Sequence, residues 1–247
     1  SALKNYQGNC LIMCVDVVLY KLLENGIIPD FVCTIDPSDS IIRFWQGLDT
    51  TKLTFIAPTT VSLKSLQFWK GRVIFFNQSD VPGSEKDAVL KQFTKPTASY
   101  YSIMNKYFIG ATLFQISVLF NPSVCILVGY DFAYRDDKPY CEGFLEKKLH
   151  DDTGVGMDLL IAREKQGDYD ALIDGKFLRT TKLLTFYKKT LVDLIRQSQR
   201  SVINCTEGGI LDETLRMPLH EALKEFCATP ITRKDIFSVV KKRKRRK

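Results

Sequence analysis

A chain of 247 residues with 45% hydrophobic and 26% charged residues, 14 Gly and 9 Pro is long enough to bury the core of one full-sized α/β domain. Collagen-like, mucin-like and wholly disordered chains are excluded; no apolar run reaches the ~20 residues that cross a bilayer, and no basic segment followed by an apolar stretch opens the chain. The net charge of +7 belongs to residues 241–247, all Lys or Arg, whose removal leaves 28 basic against 28 acidic residues, so nucleic acid is excluded as a partner except weakly through the basic tail (231–247).

The first predicted element is a strand at 10–15 (CLIMCV), a continuous apolar run of the kind covered on both faces of a parallel sheet. Asp16 ends it, and 17–25 then places Val18, Leu19, Leu22 and Leu23 at helical spacing with Gly26 as the stop. A second buried strand at 31–35 closes on Asp36, Pro37 and Ser38 and leads into a helix at 40–47. Strands at 53–57 and 73–76 flank a helix at 62–69. Residues 77–107, with Pro82, Gly83, Pro96 and the Tyr100/Tyr101 pair, read as a surface excursion. A helix at 110–120 carries Leu113, Ile116 and Phe120 on one face, and a strand at 123–128 ends in Gly129, Tyr130 and Asp131. Residues 136–156 are charged and loop-like. A long amphipathic helix is predicted over 176–199, with Leu183, Leu184, Tyr187, Leu191, Leu194 and Ile195 as its apolar stripe. A strand at 201–203 leads into Asn204 and the stretch Thr206, Glu207, Gly208, Gly209, and a helix at 218–227 precedes the tail. Strands alternating with helices in units of this length predict a mainly parallel sheet with right-handed crossovers.

In such a sheet the carboxyl ends of the strands share one edge, where ligands bind at a switch in strand order. Asp16, Asp36, Asp131 and the Asn204/Glu207 pair all fall there, although an Asp after a strand is also a common N-cap of the next helix. Gly129 permits close backbone approach to a ligand beside Tyr130 and Asp131, and the Thr206 to Gly209 turn presents backbone N–H groups suited to an anion. No G-x-G-x-x-G, Walker-type or G-x-S-x-G motif is present. With His150 and His220 the only imidazoles, nucleophilic Ser-His or Cys-His chemistry is not expected; His150, in a polar loop with Asp151 and Asp152, reads as a solvated histidine, with a general base as the alternative. The two His and seven unpaired-looking Cys make no zinc quartet, so no metal ligands are assigned, and the thiols are those of a reduced, cytoplasmic protein.

Asp16, Gly26, Pro29, Asp30 and Asp36 follow a spacing that resembles the D…GI-PD-VV-x-D signature of the DUF115 family, which includes the motility accessory factor (Maf) flagellin glycosyltransferases and the MptE-like 6-hydroxymethylpterin diphosphokinases. Three further blocks agree in order: Ile109, Gly110 and Thr112 opening a helix; Gly129, Tyr130, Asp131 and Tyr134 after a strand; and Asn204, Thr206, Glu207, Gly208 and Gly209. Asp174 and Gly175 with Thr180 or Thr181 also fit. The resemblance spans about residues 9–227. It implies a single Rossmann-like domain over 1–230, mainly parallel with helices on both faces and related in architecture to bacterial sialyltransferases. The family's G-x-G-P-S-type phosphate turn lies one strand upstream of Asp16, ahead of where this sequence begins, and Tyr140 stands where Maf-type members often carry a His.

For the Maf branch the resemblance implies transfer of a nonulosonic acid from a CMP-activated donor to Ser or Thr of a protein such as flagellin. For the MptE branch it implies pyrophosphoryl transfer from ATP to a pterin alcohol with Mg²⁺; a non-catalytic nucleotide-binding or scaffold domain is the third expectation. The implied catalytic residues are Asp131 and Asp36. The implied nucleotide- or substrate-binding residues are Asp16, Gly110, Thr112, Gly129, Tyr130, Asn204, Thr206, Glu207, Gly208 and Gly209.

Overall fold

The computed structural model describes residues 2–79, 102–104, 108–134, 168–173 and 175–232, which divide between two units, Leu11–Phe120 and Ser1–Cys10 with Asn121–Lys247. The expectations for Tyr100 and Tyr101, for the loop at 136–156 with His150, for Tyr140, for Asp174 and for the tail beyond residue 232 lie outside the described residues.

Leu11–Phe120 holds five parallel strands in the order β1 (Met13–Val15), β2 (Phe31–Cys33), β3 (Thr54–Pro58), β4 (Arg72–Ser79) and β5 (Ser102–Met104). The apolar runs read from the sequence supply the first four strands. β1 starts three residues later than that run because Asp30 Oδ2 takes the Ile12 N–H at 2.9 Å while Ile12 O accepts from the Asp30 and Phe31 amides, so a loop contact replaces the ladder. The crossovers are α1 (Leu19–Glu24), a 3₁₀ turn at Asp39–Phe44, and α2 (Leu63–Phe68), whose Ser62 side chain caps the Lys64 and Ser65 amides. The segment at 40–47 is therefore a tighter 3₁₀ helix than its apolar spacing predicts. Its start is set by an Asx-turn, Asp36 Oδ1 accepting from the Ser38 amide at 2.8 Å. Residues 77–79 and 102–104, assigned from sequence to a surface excursion, instead extend β4 and build β5, pairing Asn77 with Ser102.

The core of this unit gathers Trp45, Phe55 and Trp69, with ring centroids 4.8 to 5.5 Å apart, beneath Leu19, Val32, Ile41 and Ala57. α3 (Ile109–Leu119) packs on β1 and β5 and buries Leu113 and Ile116, and Phe120 lies 5.2 Å from the Phe31 ring.

In the second unit β6 (Val124–Leu127) pairs in parallel with β9 (Ser201–Asn204), which pairs with the short β10 (Leu215–Arg216). The helix predicted over 176–199 is two elements. Its first six residues are β8 (Lys176–Thr181), the return strand of an antiparallel hairpin with β7 (Asp168–Ile173), and only Lys182–Ser198 is helical (α4). Gly175 turns the hairpin at φ 74°, and the alternation of exposed Phe177 and Arg179 with fully buried Thr180 is the period of a strand. Thr181 then caps α4 by accepting from the Leu184 amide at 3.0 Å. Leu191 and Leu194 are buried as predicted, whereas Leu183 is 56% exposed and Val192 joins the buried face. α5 (Leu219–Phe226) packs on the 3₁₀ helix Ala2–Tyr6, and Asn9 Nδ2 donates to Cys227 O at 2.8 Å. Strand order runs in one direction within each sheet, so neither sheet by itself contains the reversal at which ligands of open α/β sheets gather.

Candidate functional site

The parallel register that sets Val15 opposite Cys33 carries the next residues, Asp16 and Thr34, past the ends of β1 and β2 side by side. Thr34 Oγ1 donates to Asp16 Oδ2 at 2.5 Å, the Val17 amide donates to Asp16 Oδ1 at 2.7 Å, and Thr34 Oγ1 accepts from the Asp36 amide at 3.3 Å. Asp16 opens a 3₁₀ helix, Asp16–Val18, instead of standing ahead of one as a cap. Asp16 is 7% exposed, and burial pushes its pKa up to about 6 against the opposing pull of the Thr34 and Val17 hydrogen bonds; the charge of Asp36 raises it further and that of Arg43 lowers it. Asp36 is half-buried and held by the Ser38 amide and, at 3.4 Å, the Ser40 hydroxyl. A single threonine thus ties the buried Asp16 carboxyl to the backbone amide of the more accessible Asp36. Gly110 and Thr112 sit in the first turn of α3, where Thr112 is 1% exposed and its hydroxyl meets no hydrogen-bond partner.

The ends of β6 and β9 build a second cluster in the other unit. Leu127 is in register with Asn204, so the chains leaving them run together: Cys205 N donates to Leu127 O at 2.8 Å and Tyr130 N to Thr206 Oγ1 at 3.0 Å. Buried Asn204 holds the turn from within, Nδ2 donating to Leu211 O at 2.9 Å and Oδ1 accepting from the Thr206 amide at 3.0 Å. Gly209, at φ 72°, passes so close that a Cβ built on it would stand 2.2 Å from Asp131 O, and Ile210 N donates to that same oxygen at 2.8 Å. Gly208 lies beside the Asp131 carboxylate, its built Cβ 3.7 Å from Oδ1. Glu207 bridges to α5, Oε1 accepting from the Leu219 amide at 2.9 Å, so this acid satisfies an orphan donor at a helix start that Pro218 cannot cap.

Asp16 and Asp36 are therefore brought together with Thr34, and Gly129, Tyr130 and Asp131 with Asn204, Thr206, Glu207, Gly208 and Gly209. Thr34 and Arg43 are the residues of the first cluster that sequence reasoning missed; the strand register that reveals the first and the 3₁₀ geometry that places the second leave no mark in composition or motif. Burial raises the thiols of Cys14, Cys33 and, to about 11, Cys205, which removes them as nucleophiles at neutral pH. Among the described residues no group of three or more His, Cys, Asp or Glu gathers to hold a metal, and no helix is long and apolar enough to cross a membrane.

Comparison with solved structures finds similarity to the Maf glycosyltransferase from Magnetospirillum magneticum AMB-1, at 15% identity and a TM-score of 0.63 over 98% of this chain and 34% of that one. This chain thus spans about a third of that protein's length, and the likeness is one of α/β fold. No curated protein sequence matches. A family profile described as 6-hydroxymethylpterin diphosphokinase MptE-like matches residues 1–137, more than half of the chain, from the Asp16 and Asp36 blocks through Gly110 and Thr112 to Asp131. On that match, the chain belongs to the 6-hydroxymethylpterin diphosphokinase MptE-like family.

Proposed function

We propose that this chain is a glycosyltransferase domain of Maf type, moving a nonulosonic acid from a CMP-activated donor to Ser or Thr of a protein such as flagellin. The observation that carries the reading is the fold likeness to a Maf glycosyltransferase over 98% of the chain, which runs beyond residue 137, where the family match ends, and takes in the Asn204 to Gly209 turn. Transfer from a nucleotide sugar develops positive charge on the sugar and negative charge on the departing phosphate, so the reaction needs anion stabilisation and a base for the acceptor hydroxyl. In this reading the turn at exposed Gly208, with Gly129 and Tyr130, is suited to an anionic group of the donor or acceptor. Asn204, Thr206, Glu207 and Gly209 hold that turn in shape. Asp131 is the carboxylate beside that turn, and within the other unit Asp36 is the accessible carboxylate, with Asp16, Gly110 and Thr112 in binding roles; either acid is suited to handle protons or ribose hydroxyls.

The family match favours a second reading, ATP-dependent pyrophosphoryl transfer to a pterin alcohol. Mg²⁺ takes one or two carboxylates together with substrate phosphates, and half-buried Asp36 is a fitting oxygen donor, whereas both oxygens of Asp16 are already engaged by the protein. The metal would neutralise phosphate charge there.

Thermal denaturation of the full chain with CMP, CTP, ATP plus Mg²⁺, and a pterin separates the two. A ligand at a hundred times its Kd stabilises by about 2.7 kcal/mol, roughly 5 to 10 °C for a chain of this size. The glycosyltransferase reading expects that shift from cytidine nucleotides. A shift confined to ATP with Mg²⁺ and pterin replaces it with the diphosphokinase reading, and no shift with any of them leaves a scaffold domain.

A further inference from the structure

The 3₁₀ helix Asp39–Phe44 packs on the 3₁₀ helix that begins with Asp16, which brings Arg43 to the end of β1 and within reach of the Asp16 charge. Arg43 is half-buried, and its Nε is shielded from solvent without a hydrogen-bond partner. No carboxylate among the described residues lies within ion-pair distance of it. The acid on its own helix, Asp39, is taken by the Ser62 hydroxyl and by Lys64 at 3.9 Å. Asp16 and Asp36 spend their oxygens on Val17, Thr34, Ser38 and Ser40. What steadies the guanidinium is the Phe44 ring, 5.0 Å from its central carbon. A guanidinium carries five N–H donors in a fork that matches phosphate oxygens, and leaving a shielded donor unmatched is costly.

We propose that Arg43 is the anion anchor of this cluster and takes a phosphate group of the ligand, while Asp36, the accessible acid that the buried Asp16–Thr34 pair backs, faces hydroxyl groups of the same molecule. The inference rests on the reading of the protein as a transferase acting on a nucleotide-type substrate. It adds a residue which no motif in the sequence marks, and it assigns opposite ligand chemistries to neighbouring side chains.

The test uses the full chain and two measurements. In the first, CMP and cytidine are titrated calorimetrically into the wild type, Arg43→Met and Arg43→Lys. The anchor expects Arg43→Met to weaken CMP about 10- to 100-fold, the worth of a charge-assisted contact, with cytidine unchanged and Arg43→Lys recovering part of the loss. Equal CMP binding by wild type and Arg43→Met, or equal losses for CMP and cytidine, overturns it. In the second, which needs no variant to fold, phenylglyoxal modification of wild-type Arg43 is mapped by mass spectrometry with and without pyrophosphate. Protection by millimolar pyrophosphate supports the anchor, and unchanged modification overturns it. Protection by pyrophosphate in a chain that binds neither CMP nor ATP leaves the anchor standing and fails the transferase reading. CMP binding without protection fails the anchor alone.

Discussion

Asp16 is held as a nearly buried acid whose two oxygens are both used, and those contacts do not fully offset the loss of water. Its pKa of about 6 against an ordinary 3.8 means that the native state keeps the proton between those values while the unfolded chain has released it. The stabilisation attached to the protonated form is complete below pH 3.8 and is lost as pH rises through 6. At neutral pH the ionised carboxylate therefore weakens the fold, by up to about 3 kcal/mol for a shift of this size. Asp16→Asn keeps the shape and one acceptor oxygen and removes the charge. Urea denaturation should show it equal to or slightly less stable than the wild type at pH 4 and more stable at pH 7, by about 1 to 3 kcal/mol. A variant less stable than the wild type at pH 7 would mean that the Val17 and Thr34 hydrogen bonds dominate and that the carboxylate is well solvated. A buried acid at a strand end that costs stability at neutral pH is what the proposed binding role of Asp16 expects.

At the scale of elements, the loops after β6 and β9 are joined through a glycine that admits no side chain. Gly209→Ala combines a positive φ with a Cβ placed 2.2 Å from the backbone oxygen of Asp131, whereas Gly129→Ala meets the positive φ alone, with nothing within 4 Å. Gly129→Ala should cost about 1 kcal/mol and Gly209→Ala distinctly more, about 2 to 4 kcal/mol, because the Asp131 segment must move. Comparable losses in urea midpoints for the two variants would show that the Asp131 segment yields freely. The same loops show what a sequence discloses. Asp16, Asp36 and Asp131 are legible because uninterrupted apolar runs mark buried strands and each acid is among the first polar side chains beyond one. The partner of each is not legible, since Thr34 meets Asp16 only through the Val15 to Cys33 register, a pairing between strands that leaves no local trace. β8 is hard to separate from α4 in the sequence because Phe177, Leu178, Leu183 and Leu184 fall at spacings that a helix also allows. The adjacent β-branched Thr180 and Thr181 and the Asp-Gly pair before them were the signals of a strand and a hairpin turn. Glu207 also has a role that its place in a glycine-rich turn does not announce, since its carboxylate caps α5 twelve residues on.

Across the whole molecule, charge separates into a neutral body and a basic end, and the two make different demands on a partner. The body holds 28 basic and 28 acidic residues once residues 241–247 are set aside. Attraction to a polyanion is therefore expected from those seven cations, whereas the proposed recognition of a small phosphorylated ligand depends on a fixed group, Arg43. Release of counterions scales with the number of phosphates neutralised, at about 0.7 per contact on a single strand, so the complete chain can show a log–log salt slope of at most about 5 with single-stranded RNA. Deleting residues 241–247 should bring that slope close to zero and move elution from heparin to low salt. The thermal shift given by CMP should stay within about 1 °C of the untruncated chain's, because a bound nucleotide stabilises through its own dissociation constant and not through the net charge of the chain. Loss of the CMP shift on truncation would place the phosphate contacts in the tail and withdraw them from the strand ends; a slope that survives truncation would reveal a basic surface on the neutral body.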